Sequence, residues 1–586
     1  MASEKDITYP PAEAADNGST SGNPQSQQHV DETLAQLEDP SSTQLSIRAI
    51  LQGNATHPLT AFEKKAALIN VELDSFGLGR YQICIWFLCG FGYFLDLAWS
   101  QGVGLAATAI YQEMNVPDGQ TGKIYSLANA GLAVGAFSWG ILVDIIGRKW
   151  AFNLTCLITS VFGLILAAPK FNYNAICGIY FLASIGLGGN IPIDATIALE
   201  YLPQNRRNLV TLLSLWQPIG VVFASAVAYG TAAKPSWRCN DSLPSCVTIP
   251  DGEARNSSTC CTVDSNMGWR YLFIILGVMT LVIFFLRYFI FHLYESPKFL
   301  LSHGREQEAI DVLHKIAYFN KAPPPTLTLE MFQAIDETSS PSSSSSVVGG
   351  VASDSQQLAT RGEKLSTARK TQKVLRNFAR GLGNLKALFS NPLQAFIFIL
   401  LAIAYMGDYW SFNLAGSFLP IILLRNEVSD GSGSVAETYR HYIYIYLPGI
   451  LGAILGLVSV QLPLVGRKWS LVISAILQGV AMAMYTQVYT TAGYVGLNAF
   501  EYVMQTYFNA VLYASAPELF DTSYRGSASG MLSCLGRISG IVAPFAGQHY
   551  LSSNSSGVLW LGAGGIWLSA LTMVFLPVEM RNRQMF

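Results

Sequence analysis

Long apolar runs separated by short polar breaks dominate this chain. A helix needs about 20 apolar residues to cross a bilayer. That criterion predicts spans near 82–110, 121–143, 150–168, 174–200, 208–232 and 269–292. A second series is predicted near 393–424, 440–463, 468–488, 492–516, 526–548 and 556–577. The expected fold is therefore an all-α membrane protein, with twelve transmembrane helices in two pseudo-symmetric six-helix bundles. The polar stretches set the boundaries: a largely disordered cytoplasmic N-terminal segment at 1–80, an N-terminal bundle at 81–292, a cytoplasmic linker at 293–392, a C-terminal bundle at 393–577 and a cytoplasmic tail at 578–586. In the linker, 304–319 has helical apolar spacing, 339–357 is Ser-rich and expected to be disordered, and 361–389 is a basic amphipathic stretch suited to a cytoplasmic helix or to anionic lipid headgroups.

The two halves repeat one another. Gly147-Arg148-Lys149-Trp150 recurs 319 residues later as Gly466-Arg467-Lys468-Trp469, and Glu200 with Arg207 is echoed 318 residues later by Glu518 with Arg525. Duplicated bundles that rock about a central site are how many secondary transporters achieve alternating access.

Composition narrows the class. Hydrophobic residues make up 51% and charged residues 13%, against about 25% charged in soluble domains. The net charge of −2 gives no bias toward nucleic acid. Residues 1–80 lack the apolar core of a secretory signal, so the first span is the expected targeting signal. Arg148, Lys149, Arg206, Arg207, Arg467, Lys468 and Arg525 fall on one side, which the positive-inside rule makes cytoplasmic together with both termini. Sequons headed by Asn240, Asn256 and Asn554 fall on the other side, as glycosylation requires. So do Cys239, Cys246, Cys260 and Cys261, in one polar loop. Four cysteines allow three disulfide pairings, and sequence does not choose among them. A zinc site is the rival reading, but Cys260 and Cys261 lack the usual two-residue spacer, and no metal is expected.

Ionisable residues inside spans carry the candidate chemistry, since each costs about 2.5–3.5 kcal/mol at the bilayer centre on insertion scales. Asp96 in the first span lies roughly 20 Å from its cytoplasmic entry at 1.5 Å per residue, and Asp408 sits at a similar depth in the equivalent seventh span. A carboxyl in a partly dry cavity holds a proton near neutral pH and releases it when the cavity hydrates. The bland alternative for both is a fixed hydrogen bond to a neighbouring helix. Asp194 in the fourth span, beside Asn190 and Pro192, is a second proton site, a partner for Arg537, or a solvated residue at the inner mouth. Glu501, Gln505 and Asn509 share one face of the tenth span and either line the cavity or bridge helices. Gln217 offers an amide beside Pro218, and Arg537 in the eleventh span is expected to be paired or to bind a ligand. At the cytoplasmic edge, Asp144 with Arg148 and Lys149 is suited to cap a facing helix N-terminus or pair with an arginine, shutting an inner gate. Glu200 with Arg207, Arg467 with Lys468, and Glu518 with Arg525 are further latch candidates. The second copy has Pro463 at the acid position, which makes the latch asymmetric.

Gly140 through Lys149, Glu295-Ser296-Pro297-Lys298, and the second Gly466-Arg467-Lys468 and Glu518 to Gly526 pattern resemble the major facilitator superfamily, in its sugar-porter-like group. The resemblance covers roughly 80–335 and 390–577 and implies a cavity lined largely by spans one, four, seven and ten. Gly90 to Asp96 and Gly188 to Thr196 are similar to the phosphate:proton symporters and to the synaptic-vesicle-glycoprotein-like and organic-ion carriers. In the phosphate group the acids of the first and seventh spans serve proton coupling and substrate binding. This implies those roles for Asp96 and Asp408, and Gln217 matches a substrate-contact position. Asn190 replaces that group's Asp and Ile191 its ligand Tyr, while Asp408 stands where sugar porters carry a Gln-rich signature, so neither phosphate nor hexose is implied.

The expectation is a monomeric, multi-pass plasma-membrane transporter that moves a small polar or charged organic solute by proton symport. No ATP-binding loop is present, so the expected driving force is a proton gradient and no cofactor is expected. A proton-driven exporter is the alternative, although Gly220 and Gly230 lie too far apart for an antiporter-type fifth span. A non-transporting nutrient sensor is the alternative of another class. Enzyme chemistry finds no nucleophile–base or metal-ligand spacing.

Overall fold

The computed structural model describes residues 60–339, 388–425 and 435–577, apart from 118–119, 241, 250–255, 292, 390, 489, 521–523 and 552–554. The Ser-rich and basic parts of the linker, the tail after 577 and Asn554 lie outside the described residues.

The first span, α2 (Arg80–Met114), runs far past the minimum length. It is followed by α3 (Lys123–Ile146), α4 (Arg148–Ile165), a fourth span broken into α5 (Tyr173–Gly188) and α6 (Asn190–Tyr201), a fifth that starts as a 3-10 turn at Gln204–Leu215 and continues as α7 (Trp216–Gly230), and α8 (Gly268–Phe285). The second bundle holds α12 (Pro392–Arg425), α13 (Val435–Tyr446) with α14 (Gly449–Gln461), α15 (Gly466–Met484), α16 (Thr491–Glu518), α17 (Arg525–Leu551) and α18 (Ser555–Val574). Twelve spans result among the described residues, ten of them recognisable by apolarity alone. The other two, α4 and α16, are more polar. The fourth span breaks at Gly188-Gly189, just before Pro192, whose missing N–H cannot continue the ladder. Asn172 and Thr490 cap α5 and α16 by accepting from the N–H groups of Ala175 and Gly493.

The bundles meet along two equivalent seams: α3 lies against α17, and the fifth span lies against α13 and α14. In the first seam a Cβ on Gly140 would collide with the backbone of Gly526 and Gly530. Small residues permit this close approach.

The segment before the first span departs from expectation. Residues 61–76 form a capped amphipathic helix, α1 (Ala61–Phe76), rather than a disordered lead. Thr60 and Glu63 close a capping box at its start. Lys65 sits 2.6 Å from both Glu306 on α10 (Glu306–Asn320) and Asp336 on α11 (Leu329–Ser339). Glu72 accepts from the N–H and hydroxyl of Thr326, at 2.9 and 2.5 Å. The charges on α1 read as solvated in isolation, and their partners are over two hundred residues away in the chain.

At the other end, Cys239–Cys261 and Cys246–Cys260 are the disulfides formed. Beneath this loop the fully buried carboxylate of Glu113 accepts from Arg270 at 2.6 and 2.8 Å, and from Asn266 and Trp269 at 3.1 Å each. This cluster ties the first span to the sixth. Arg270→Met strands the Glu113 charge and is expected to cost about 3–5 kcal/mol, with most of the loss recovered in Glu113→Met/Arg270→Met. Thermal unfolding of the purified variants checks both values.

Candidate functional site

The sequence candidates separate into a cytoplasmic cluster and a midplane cluster. In the first, Asp144 at the end of α3 crosses to the other bundle and accepts from the Ser527 N–H at 2.9 Å and from the Ser527 hydroxyl at 2.8 Å. Ser527 lies in the first turn of α17, where unpaired N–H groups favour an anion. Arg148 holds Asp144 at 3.4 Å and Glu200 at 3.1 Å. Its guanidinium also lies over the Phe299 ring, 4.6 Å from the centroid. Glu295 accepts from the N–H groups of Arg148 at 2.7 Å and Lys149 at 3.4 Å, which satisfies the start of α4.

In the second copy, Arg467 pairs with Glu518 at 2.7 Å and Lys468 donates to the Leu576 carbonyl at 3.1 Å. Arg525 donates to the Phe520 carbonyl at 3.2 Å, and Arg207 is half-buried beside Glu518. Pro463 offers no acid to cross to the first bundle.

Glu295-Ser296-Pro297-Lys298 leads into the short helix α9 (Pro297–Ser302), capped by Ser296. Burial pushes Glu295 above its usual range, against the pull of the Arg148 N–H. Burial also pushes Lys298 well below the usual lysine value, helped by repulsion from Arg207 and Arg525.

The midplane cluster differs from expectation in its pairing. Arg537 on α17 pairs with Asp96 on α2 at 3.5 Å, across the bundle boundary. Its Nε donates to Ser533 at 3.3 Å, and its guanidinium lies 5.5 Å from the Tyr409 ring centroid. Asp194 is neither the partner of Arg537 nor solvated. It is fully buried and pairs with Arg287 at 3.2 Å inside the first bundle. Sequence reasoning missed Arg287, although it is the one charged residue between Arg270 and Glu295 and stands at the end of the sixth apolar run. It also donates to the Leu88 carbonyl at 2.6 Å and lies over the Phe152 ring. Gly92 makes room for Asp194, since a Cβ there would strike its carboxylate.

Asp408 lies against the Asn509 amide, which, turned so that its nitrogen faces the acid, donates to the two carboxyl oxygens at 2.8 and 3.2 Å. Glu501 accepts from Gln478 on α15 at 3.2 Å, so it bridges helices rather than lining the space between bundles. Gln505 and Gln217 are buried, and Asn190 is fully buried with no hydrogen-bond partner for its amide.

Tyr93, Tyr405 and Tyr513 pack between the bundles, with ring centroids 6.5 Å (Tyr93–Tyr513) and 5.7 Å (Tyr405–Tyr513) apart. Below them is a cavity of about 10 Å³ lined by Tyr405, Tyr513, Pro192, Ser529 and Ser533, room for about one water. On the outer side Tyr439 donates to the Leu105 carbonyl at 2.6 Å and Asn129 to Asn413 at 3.4 Å, again between bundles. Asp96 is 5% exposed and Asp408 2%. The conformation is thus latched on both sides of the carboxylates.

Two six-helix bundles around a buried polar midplane, closed by helix-end charges, define a secondary-transporter fold. The comparisons agree. Residues 91–361 match the family model described as Sugar (and other) transporter. The chain is 33% identical over 523 residues to the MFS siderochrome iron transporter 1 of Ceriporiopsis subvermispora (strain B), covering 89% of this chain and 92% of that protein. It is 24% identical over 544 residues to the organic cation/carnitine transporter 7 of Arabidopsis thaliana, covering 88% and 95%. The solved proton:xylose symporter XylE, bound to 6-bromo-6-deoxy-D-glucose, matches with a TM-score of 0.58 at 16% identity, over 85% of this chain and 96% of that one. The chain belongs to the major facilitator superfamily, in its sugar-porter-like group, and is a membrane transporter rather than an enzyme.

Two outcomes follow from the cytoplasmic cluster. Asp144→Asn weakens charge-assisted bonds of about 1.5–3 kcal/mol. Cysteine labelling at the inner ends of α3 and α17 should rise about tenfold or more. Because Lys298 has its folded-state value depressed below the ordinary 10.5, the native state binds fewer protons than the unfolded chain just below that value. Its stability is complete above the ordinary lysine value and is lost as pH falls. The melting temperature of the wild type minus that of Lys298→Met should therefore grow as pH rises toward 10.5.

Proposed function

We propose that the protein is a proton-coupled symporter of a small polar or charged organic solute, working by alternating access in the plasma membrane as a monomer, with both termini in the cytoplasm. The observation that carries this reading is the Asp96–Arg537 pair, buried and shared between the two bundles. Separating the bundles on either side strains this contact. Pulling buried partners apart with both charged costs about 3–5 kcal/mol. A proton on Asp96 removes that cost, and a charged solute group can replace either partner. Opening is thus linked to a proton and a solute together, which is what symport requires. Asp408, held by Asn509, stands at the equivalent depth of the other bundle and supplies a second carboxyl for the same cycle.

The sidedness of Arg148, Lys149, Arg467 and Lys468 supports a cytoplasmic inner gate, and the disulfide loop supports an oxidising outer face. Asn240 and Asn256 are exposed on that loop and are the proposed glycosylation sites. The relatives, a siderochrome iron transporter and an organic cation/carnitine transporter, support a charged organic solute.

Proteoliposomes offered a ferric siderophore, an organic cation and an organic acid under an imposed pH gradient test the reading. Inward-acid gradients should drive accumulation of one class in the wild type. Asp96→Asn and Asp408→Asn should lose accumulation against a gradient. Unchanged, pH-dependent uptake in both variants ends the assignment, and outward-directed movement favours the exporter instead.

A further inference from the structure

Three buried acids of the first bundle's spans have an arginine: Glu113 with Arg270 at the outer end, and Asp194 with Arg287 and Asp96 with Arg537 deeper in. Asp408 and Glu501 do not. They are 2% and 6% exposed, and neither forms an ion pair among the described residues. Glu501 is the charged neighbour that Asp408 feels. The other titratable groups around Glu501 are tyrosines: Tyr446 from the eighth span, Tyr485 from the ninth, and Tyr502 from its own helix. Two buried acids without a cation are not sustained as charges in a dry interior, where an isolated carboxylate neutralises instead.

Gln478 provides a second, independent sign. It is fully buried, and its Nε2 donates to Glu501 while its Oε1 has no partner. An ionised carboxylate only accepts, so it leaves that oxygen orphaned. A protonated Glu501 carries an O–H, the donor that the orphaned Gln478 Oε1 lacks.

We propose that Glu501 is a second proton-carrying residue of this transporter, coupled electrostatically to Asp408 and reached from the outer face. This rests on the proton-coupled reading above. Glu501 lies ten residues inside Thr491, the outer start of α16, a depth of about 15 Å, and Asn509 lies about 12 Å further in. A proton from the outer solution binds the Glu501 carboxylate to give the neutral acid. Breaking the same O–H bond later returns the carboxylate and passes the proton to water. Because the two acids repel when both are charged, the pair titrates as a unit.

The test is infrared spectroscopy of the purified full-length protein in lipid nanodiscs across a pH titration. Asp408→Asn and Glu501→Gln should each remove one protonated-carboxyl band, and each should shift the titration of the acid that remains. Gln478→Met keeps both acids and should shift the titration of the Glu501 band, with a smaller shift at Asp408 through the coupling. A Glu501→Gln spectrum that overlays the wild type, or a Gln478→Met titration that does not move, overturns the proposal. Gradient-driven uptake in a wild type with no Glu501 band sinks this inference and spares the coupling reading. A Glu501 band in a protein whose transport ignores the pH gradient sinks both.

Discussion

A charge in the membrane interior must find a partner or lose itself to a proton, and this molecule is organised around that demand. Glu113–Arg270, Asp194–Arg287 and Arg148–Glu200 are satisfied inside the first bundle. Asp96–Arg537 is satisfied only when the bundles are together. The internal pairs bind the helices of the first half together, because removing one member leaves an uncompensated buried charge. The shared pair makes the relation between the bodies depend on protonation and ligand.

The boundary between the bundles is built differently from their interiors. Its α3–α17 seam includes a close backbone approach at Gly140, Gly526 and Gly530. Among the described residues, the bonds across it include Asp144 with Ser527 on the inner side, Asp96 with Arg537 at the midplane, and Tyr439 with Leu105 and Asn129 with Asn413 on the outer side. Exchanging a handful of such contacts is within the few kcal/mol that separate conformers of a two-state protein. The absent acid at Pro463 means that one copy of the duplicated latch reaches across while the other stays within its own bundle. The cytoplasmic layer of α1, α10 and α11 is held together by Lys65 and Glu72 and is fastened to the first bundle through Asn320, which accepts from the Tyr81 N–H and donates to Gln82. Inner-gate motion therefore carries this layer with it.

The twelve spans, their duplication and the separation of basic loops from cysteine-bearing loops were legible in the chain, because bilayer thickness and charge cost act on local composition. The helix at 61–76 was not, since its polar face is stabilised by Glu306 and Asp336 from the far side of the linker. Asp96, Asp408, Glu501 and Arg537 stood out as costly residues in apolar runs, and the capping role open to Asp144 was readable from its place at a helix end beside two bases.

Sequence alone, then, determined which residues lie in the membrane, how deep they sit and which of them are expensive to bury. Only the tertiary structure decided who compensates whom: Asp194 with Arg287, Asp96 with Arg537, Glu501 with Gln478. The reason is geometric. Depth follows from rise per residue, but partnership follows from the rotation of each helix about its axis. A span such as α2, with apolar residues on every face, carries no periodic signal to report that rotation. Packing against its neighbours sets it.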